Sequence, residues 1–161
     1  MSVVKSNSVT TLDNRLGVLS YRKENNQMKE YKQKNTLGSY TDNWSTPKEI
    51  YDYFINQLGF FDPCPLYSDY DNLNQLYDND LFINPPYSDI NSWIDFAIKN
   101  NNYSNKQITM LVPARTDVKW FHKALEHGAE VQFIKGRLKF GNSKQSAPFP
   151  SIFLIFPSKT L

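Results

Sequence analysis

The chain has 161 residues, 40% hydrophobic and 15% aromatic, with a formal net charge of +2. That is one ordinary domain with enough apolar side chains to build its own core, which excludes wholesale disorder and a two-domain architecture. The longest strongly apolar run, Ile152 to Phe156, is too short for a membrane span, and the single cysteine, Cys64, excludes an internal disulfide framework.

The charge is unevenly spread. Residues 1–40 carry seven Lys/Arg against three Asp/Glu, and the remainder carries eleven against thirteen. Residues 1–40 lack sustained periodicity, so they are expected to form a flexible basic arm that can follow phosphate, with the domain proper over residues 41–161. Thr46-Pro47-Lys48-Glu49 predicts a helix start, with Thr46 as the capping hydroxyl and Ile50, Tyr53, Phe54 and Leu58 at helical spacing; Gly59 ends it. Phe60-Phe61 predicts a brief strand running into Asp62-Pro63-Cys64-Pro65, and Leu81-Phe82-Ile83 another, ending at Asn84-Pro85-Pro86-Tyr87. Ser88-Asp89 is expected to cap a helix through Ile90, Trp93, Ile94, Ala97 and Ile98. Ile108 to Val112 is a buried strand, and Asp117 caps a helix carrying Trp120, Phe121, Ala124 and Leu125. Val131 to Ile134 is a strand, Gly136 to Gly141 a loop or hairpin, and Phe149 to Phe156 a final strand. Strands alternating with helices predict an α/β fold with a mainly parallel sheet.

In open α/β sheets ligands sit beyond the carboxyl ends of the strands. Four polar clusters fall there and should line one rim: Asp62-Pro-Cys-Pro, Asn84-Pro-Pro-Tyr87, Pro113-Ala-Arg115-Thr-Asp117 and Lys135-Gly-Arg137. The second is the sharpest. Two prolines donate no backbone hydrogen, so the ladder stops and the turn is rigid, with carbonyl oxygens free to accept. The Asn84 side chain adds another acceptor and Tyr87 a flat ring, which together describe a receptor for a planar amine. His122, His127 and Cys64 lack the partners of a nucleophilic site, and three such residues fall short of a zinc ligand set, so no metal is expected.

Asn84-Pro-Pro-Tyr87 resembles the signature of amino-group methyltransferases that use S-adenosylmethionine. The ordered set of Trp44-Ser-Thr46-Pro47, Phe61-Asp62-Pro63, Asn84-Pro-Pro-Tyr87-Ser88, Val112-Pro-Ala-Arg115-Thr-Asp117, Gly136-Arg137-Leu-Lys139-Phe140-Gly141 and Ala147-Pro-Phe149-Pro-Ser151 resembles the phage-type DNA N6-adenine methyltransferase (Dam) family over about residues 42 to 157. The resemblance implies a truncated Rossmann-like class I S-adenosylmethionine-dependent methyltransferase. It would be phage or prophage encoded, cytoplasmic in a bacterial host, and would act on adenine N6 in double-stranded DNA without a membrane partner. It assigns catalysis to Asn84, Pro85, Pro86 and Tyr87, and cofactor contacts to Trp44, Thr46, Pro47, Asp62 and Pro63. Arg115, Arg137, Lys139 and Phe149 are the expected DNA contacts.

The chain departs from the pattern in one place. Pro63-Cys64-Pro65-Leu66 replaces the usual glycine-rich loop, and the 22 positions between Asp62 and Asn84 leave the second strand short or absent. Asp69, Asp71, Asp78 and Asp80 are all candidates for the ribose contact, and spacing does not choose among them. The same corner also suits an RNA or protein-glutamine amino methyltransferase, and the unusual 62–84 connection suits a catalytically inactive DNA-binding relative. The recognised DNA site and the oligomeric state are not legible.

Overall fold

A computed structural model describes residues 44–66 and 72–159. The expected basic arm at 1–40, and Asp69 and Asp71, lie outside the described residues. The elements are a short helix α1 (Lys48–Tyr51) continuing as a π-helical turn (Asp52–Gln57), strand β1 (Leu81–Ile83), helix α2 (Ile90–Ser104), strand β2 (Ile108–Pro113), helix α3 (Lys119–Glu126) and strands β3 (Glu130–Phe133) and β4 (Ser151–Phe156). The architecture is α/β around one four-stranded sheet in the order β1-β2-β4-β3.

The sheet is mixed rather than mainly parallel. β1 pairs parallel to β2, with Leu81 opposite Ile108, whereas β4 runs antiparallel to both β2 and β3. The helix α2 supplies the crossover that lets β1 and β2 run the same way. Between β3 and β4 the chain forms only turns, so β4 returns antiparallel. Phe60-Phe61 contributes a single parallel bridge, Phe61 to Leu81, rather than a strand. β4 begins at Ser151 rather than Phe149, because Pro148 and Pro150 have no N–H for a ladder.

Each face of the sheet has its own core. On one, Leu81, Ile83, Ile108, Met110, Val112, Ile152, Leu154 and Phe156 pack against Ile90, Trp93, Ile94 and Ala97 of α2 and Trp120, Phe121 and Ala124 of α3. On the other, Phe82 and Leu111 pack with Phe54, Phe140 and Ala147, joined by Trp44, Phe149 and Phe153. Burying side chains of this size stabilises by about 1.5–3 kcal/mol each.

The helix ends differ from the expected caps. Thr46 makes no capping bond: Pro47 is the cap residue, and its carbonyl accepts the Tyr51 N–H at 3.0 Å. Of the expected apolar face, Phe54 is buried and Ile50 half-buried, while Tyr53 and Leu58 are exposed, because the chain winds on as a π-helical turn that rotates the face; Gly59 closes it at φ +75°. Asp89 precedes α2, but its carboxylate accepts the Ser92 hydroxyl at 2.6 Å instead of a backbone N–H. Asp117 lies one residue before Val118, the actual cap of α3. α2 ends at Asn105 with φ 56°, the left-handed geometry that asparagine tolerates.

Candidate active site at the Asn84 corner

Register places the polar clusters on one rim. Asp62 follows the Phe61 bridge, Asn84 follows β1 and Ala114 follows β2, three parallel segments ending on the same side. β4 runs the other way, so its start, Ser151, lies opposite Pro113, and Phe149-Pro150 enters from that rim. β3 also ends there, with Phe133 opposite Ile152, which brings Lys135-Gly136-Arg137 to the same side.

At the corner itself the Asn84 amide is oriented by its partners. Its Nδ2 donates to the Trp44 carbonyl, and its Oδ1 accepts only a long 3.5 Å bond from the Tyr87 hydroxyl. The donor end is thus occupied and the acceptor end is available. No hydrogen bond reaches the Pro85 carbonyl among the described residues, while the Pro86 carbonyl accepts the Asp89 N–H at 3.0 Å. Burial pushes the Tyr87 hydroxyl above its ordinary value, so it remains a protonated donor. The corner therefore presents two oxygen acceptors, Asn84 Oδ1 and Pro85 O, as a ligand with two N–H groups requires.

Four rings cluster at this corner, joined to it through Tyr87 and through the Trp44 carbonyl that Asn84 bonds. Trp44 stacks on Tyr87 with centroids 6.3 Å apart and planes 23° apart, and it meets Phe140 and Phe149 edge-on at 5.2 and 5.5 Å. Tyr87 meets Phe149 edge-on at 5.5 Å. The loop carrying Phe140 is held close to Trp44, because the Gly141 N–H donates to the Ser45 carbonyl at 2.9 Å. Gly141 has φ +55°, and a Cβ there would come within 2.5 Å of Ser45 Oγ, so glycine is needed on both counts.

Asp62 sits beside this corner. Its Oδ1 accepts the Cys64 N–H at 2.8 Å, and no cation pairs with it among the described residues. Burial pushes its carboxyl up to about 7, with the Cys64 hydrogen bond partly opposing the rise. Burial and the neighbouring Asp62 carboxylate together raise the Cys64 thiol, leaving it inert, and they also raise the Tyr51 hydroxyl. Tyr51 belongs to α1, so the helix begun at Thr46-Pro47 stands next to Asp62. Pro63 is buried and its carbonyl accepts the Asn72 side-chain amide.

The structure thus brings Trp44, Asn84, Tyr87 and Phe149 into contact, and sets Asp62 and Pro63 at the adjacent strand end. Thr46 and Pro47 are half-buried, with no direct bond to Asp62 or Asn84. Arg115, Arg137 and Lys139 are exposed on the loops of the same rim; Arg137 Nη1 also reaches the Ala147 carbonyl at 3.4 Å. Among the ribose candidates, Asp80 precedes β1 at the opposite end of the sheet, where its Oδ1 accepts the Gln107 N–H at 2.8 Å; Asp78 lies two residues further back, outside the rim. Two open clefts are also present. One, about 490 Å³, is lined by Asp117, Trp120, His122 and Lys123; the other, about 360 Å³, by Tyr53, Phe54, Gln132 and Phe153.

The sequence reading missed Phe140, Ser45 and Ser151 as parts of this neighbourhood. Ser151 left a signal: it is the one polar residue in an otherwise apolar strand.

Residues 33–155 match the family described as DNA N-6-adenine-methyltransferase (Dam). The chain belongs to this family. The Dam match takes in residues 33–40, assigned above to the arm, and spans every part of the corner. A DNA N-6-adenine-methyltransferase of Escherichia phage T1 is 28% identical over 124 residues, covering 68% of this chain and 52% of that relative. The chain therefore spans about half the length of this curated relative. No solved structure matches. Among the described residues no helix is long and apolar enough to cross a membrane, and no three His, Cys, Asp or Glu residues gather as metal ligands.

Proposed function

We propose that this chain transfers a methyl group from S-adenosylmethionine to N6 of a flipped adenine in double-stranded DNA, as a truncated Rossmann-like class I methyltransferase of a phage or prophage acting in the host cytoplasm. The observation that carries the reading is the orientation of Asn84: with Nδ2 given to the Trp44 carbonyl, Oδ1 is turned into an acceptor for an amino group. Membership of the Dam family supports the substrate. The run of parallel segments ending at Asp62, Asn84 and Ala114 supports the fold class.

Asp62 fits the methyl donor. A half-buried carboxyl with one hydrogen bond and, among the described residues, no cation complements an ammonium group, and Tyr51, Pro63 and the Trp44-Thr46-Pro47 segment would form the surrounding wall. When bound, S-adenosylmethionine supplies an electrophilic methyl group on a sulfonium.

The residues of the corner prepare the nucleophile. The adenine amino nitrogen is weak because its lone pair is delocalised into the ring. Accepting its two hydrogens on Asn84 Oδ1 and Pro85 O favours a pyramidal nitrogen with a localised lone pair. The same oxygens face the positive charge that grows on nitrogen, an electrostatic stabilisation specific to the transition state. Neither an amide nor a peptide carbonyl holds the proton that N6 then sheds, so it passes to water. Tyr87 provides a stacking face for the extruded base, worth about 1–3 kcal/mol against an unstacking cost of a few kcal/mol. Arg115, Arg137 and Lys139 on the rim loops, with the excess charge of residues 1–40, are placed in this reading along the phosphates.

The test is incubation with labelled S-adenosylmethionine and duplex DNA, followed by digestion to nucleosides. N6-methyladenine is the expected product. Label appearing only on RNA or protein, or none on any DNA of varied sequence, would overturn the reading.

A further inference from the structure

Among the described residues, two buried side-chain polar atoms have no hydrogen-bond partner: Trp44 Nε1 and Ser151 Oγ. Other buried polar side chains are paired. Asn100 bonds Tyr77, Gln75 and Phe96; Asn101 bonds Lys106 and Pro157; Thr109 accepts from Gln107. An unpaired buried donor costs about 1–3 kcal/mol, so its persistence calls for a reason.

The two orphans share one place. Ser151 opens β4 opposite Pro113, at the rim where the Asn84 corner stands. Side chains alternate along a strand, so Ser151 shares the sheet face of Phe153, the face that carries Trp44, Phe140 and Phe149. The Trp44 indole meets Phe149, two residues before Ser151, and its own backbone carbonyl orients Asn84. A donor and a hydroxyl thus stand unpaired on the rim and the sheet face that carry the Asn84 corner.

We propose that Trp44 Nε1–H and the Ser151 hydroxyl read the ring edge of the target base, donating to the two acceptor nitrogens that flank its amino group. The inference rests on the corner being the target-base site. Adenine carries its amino group between N1 and N7, two acceptors; cytosine carries its own between one acceptor, N3, and a C–H; guanine presents a carbonyl where adenine has the amine. Two acceptors for the amine with a donor on either side is therefore an adenine pattern. Trp44 and Ser151 act as specificity-determining residues for the methyl transfer, beyond the cofactor contact expected of Trp44.

The experiment uses the full chain and duplexes carrying adenine, 1-deazaadenine or 7-deazaadenine at the methylated position, each analogue replacing one ring acceptor with C–H. The wild type should lose about tenfold in kcat/KM on each analogue, since a buried donor is left facing carbon. At saturating S-adenosylmethionine, Trp44→Phe should be indifferent to one analogue and Ser151→Ala to the other. Ser151→Ala should keep or raise the ligand-free melting temperature, because it removes an unpaired buried hydroxyl without opening a sizeable cavity. Variants that keep the full sensitivity to both analogues would overturn the proposal. A second readout needs no turnover: the Trp44 indole proton resonance, assigned as the one missing in Trp44→Phe, should shift on adding adenine DNA and not the matching analogue DNA. An indole resonance that ignores adenine DNA overturns the inference whether or not methyl is transferred, whereas absent methylation with a shifting resonance overturns the enzymatic reading alone.

Discussion

The two faces of the sheet are built on opposite rules. Facing α2 and α3, the interior is largely aliphatic, and its buried polar side chains, Asn100 and Asn101, each make several hydrogen bonds. Facing the Trp44 cluster, the interior is aromatic, its two orphaned polar atoms remain unpaired, and an amide is turned so that its oxygen has little to accept. Satisfied polar groups and close aliphatic packing are what stability selects. Unsatisfied acceptors and donors gathered at one strand-end corner lower the stability of the empty protein and acquire partners when a ligand arrives. One face holds the fold together, and the other is left incomplete.

The largest expected effect is therefore on the incomplete face and on chemistry. Asn84→Ala should lower kcat by about 100-fold or more, as for the loss of one transition-state hydrogen bond, while leaving methyl-donor affinity close to wild type. Unchanged turnover in single-turnover assays would remove Asn84 from the mechanism. Asn100→Ala probes the other face. It strands the Tyr77 N–H, which donates to Asn100 Oδ1 at 2.8 Å, and the Gln75 carbonyl, so chemical denaturation should show a loss of about 2 kcal/mol. Its kcat should stay at the wild-type level under conditions where it is folded. An activity loss larger than the stability loss would break the division of labour between the faces.

Much of this division was legible in the residues, and the illegible part has a common cause. The proline pair after Asn84 marked where β1 ends, and the parallel crossover placed that end beside the end of β2, which runs on to include Pro113. The candidate acceptors were read from two sources, the Asn84 side-chain amide and the proline carbonyls of a turn that cannot extend a ladder. What could not be read was long-range pairing. The bond from Asn84 to the Trp44 carbonyl joins residues 40 positions apart, and the antiparallel return of β4 depends on a loop without periodicity. Thr46 and Asp117 carry good capping side chains, yet the helices start beyond them at Pro47 and Val118, since tertiary packing rather than the local cap fixes those starts. Asn100 and Asn101 are buried by packing against the 72–80 segment and the end of β4, contacts distant in sequence.

Asp62 sharpens the comparison through pH. Its carboxyl titrates near 7 in the folded chain against 3.8 ordinarily, so the folded form holds its proton more tightly than the unfolded one. Its contribution to stability is complete below about pH 4 and is lost as pH rises toward about 7. The ligand-free melting temperature should fall across that window, and Asp62→Asn should flatten the fall. Methyl-donor affinity should run the opposite way, since the ammonium needs the carboxylate. Calorimetry should show tighter binding above pH 7 with proton release at lower pH, and Asp62→Asn should weaken binding about tenfold. A donor affinity flat from pH 5 to 8 would detach Asp62 from the site.

The smallest effect concerns what holds the aromatic face in place. Gly141→Ala puts a side chain on a residue at φ +55° and drives its Cβ toward Ser45 Oγ, which should cost about 1 kcal/mol in denaturation experiments. The two causes separate in a double-mutant cycle. Ser45→Ala removes the contacted oxygen and leaves only Ser45 Cβ, at 3.8 Å, so Ser45→Ala with Gly141→Ala should recover the steric part and retain the backbone part. Because the same Ser45–Gly141 contact ties the Phe140 loop to the segment that orients Asn84, the single variant should also lower kcat more than it raises KM, with the double variant restoring it. Recovery of stability without recovery of kcat would mean that the loop stabilises the aromatic face without aligning the amide.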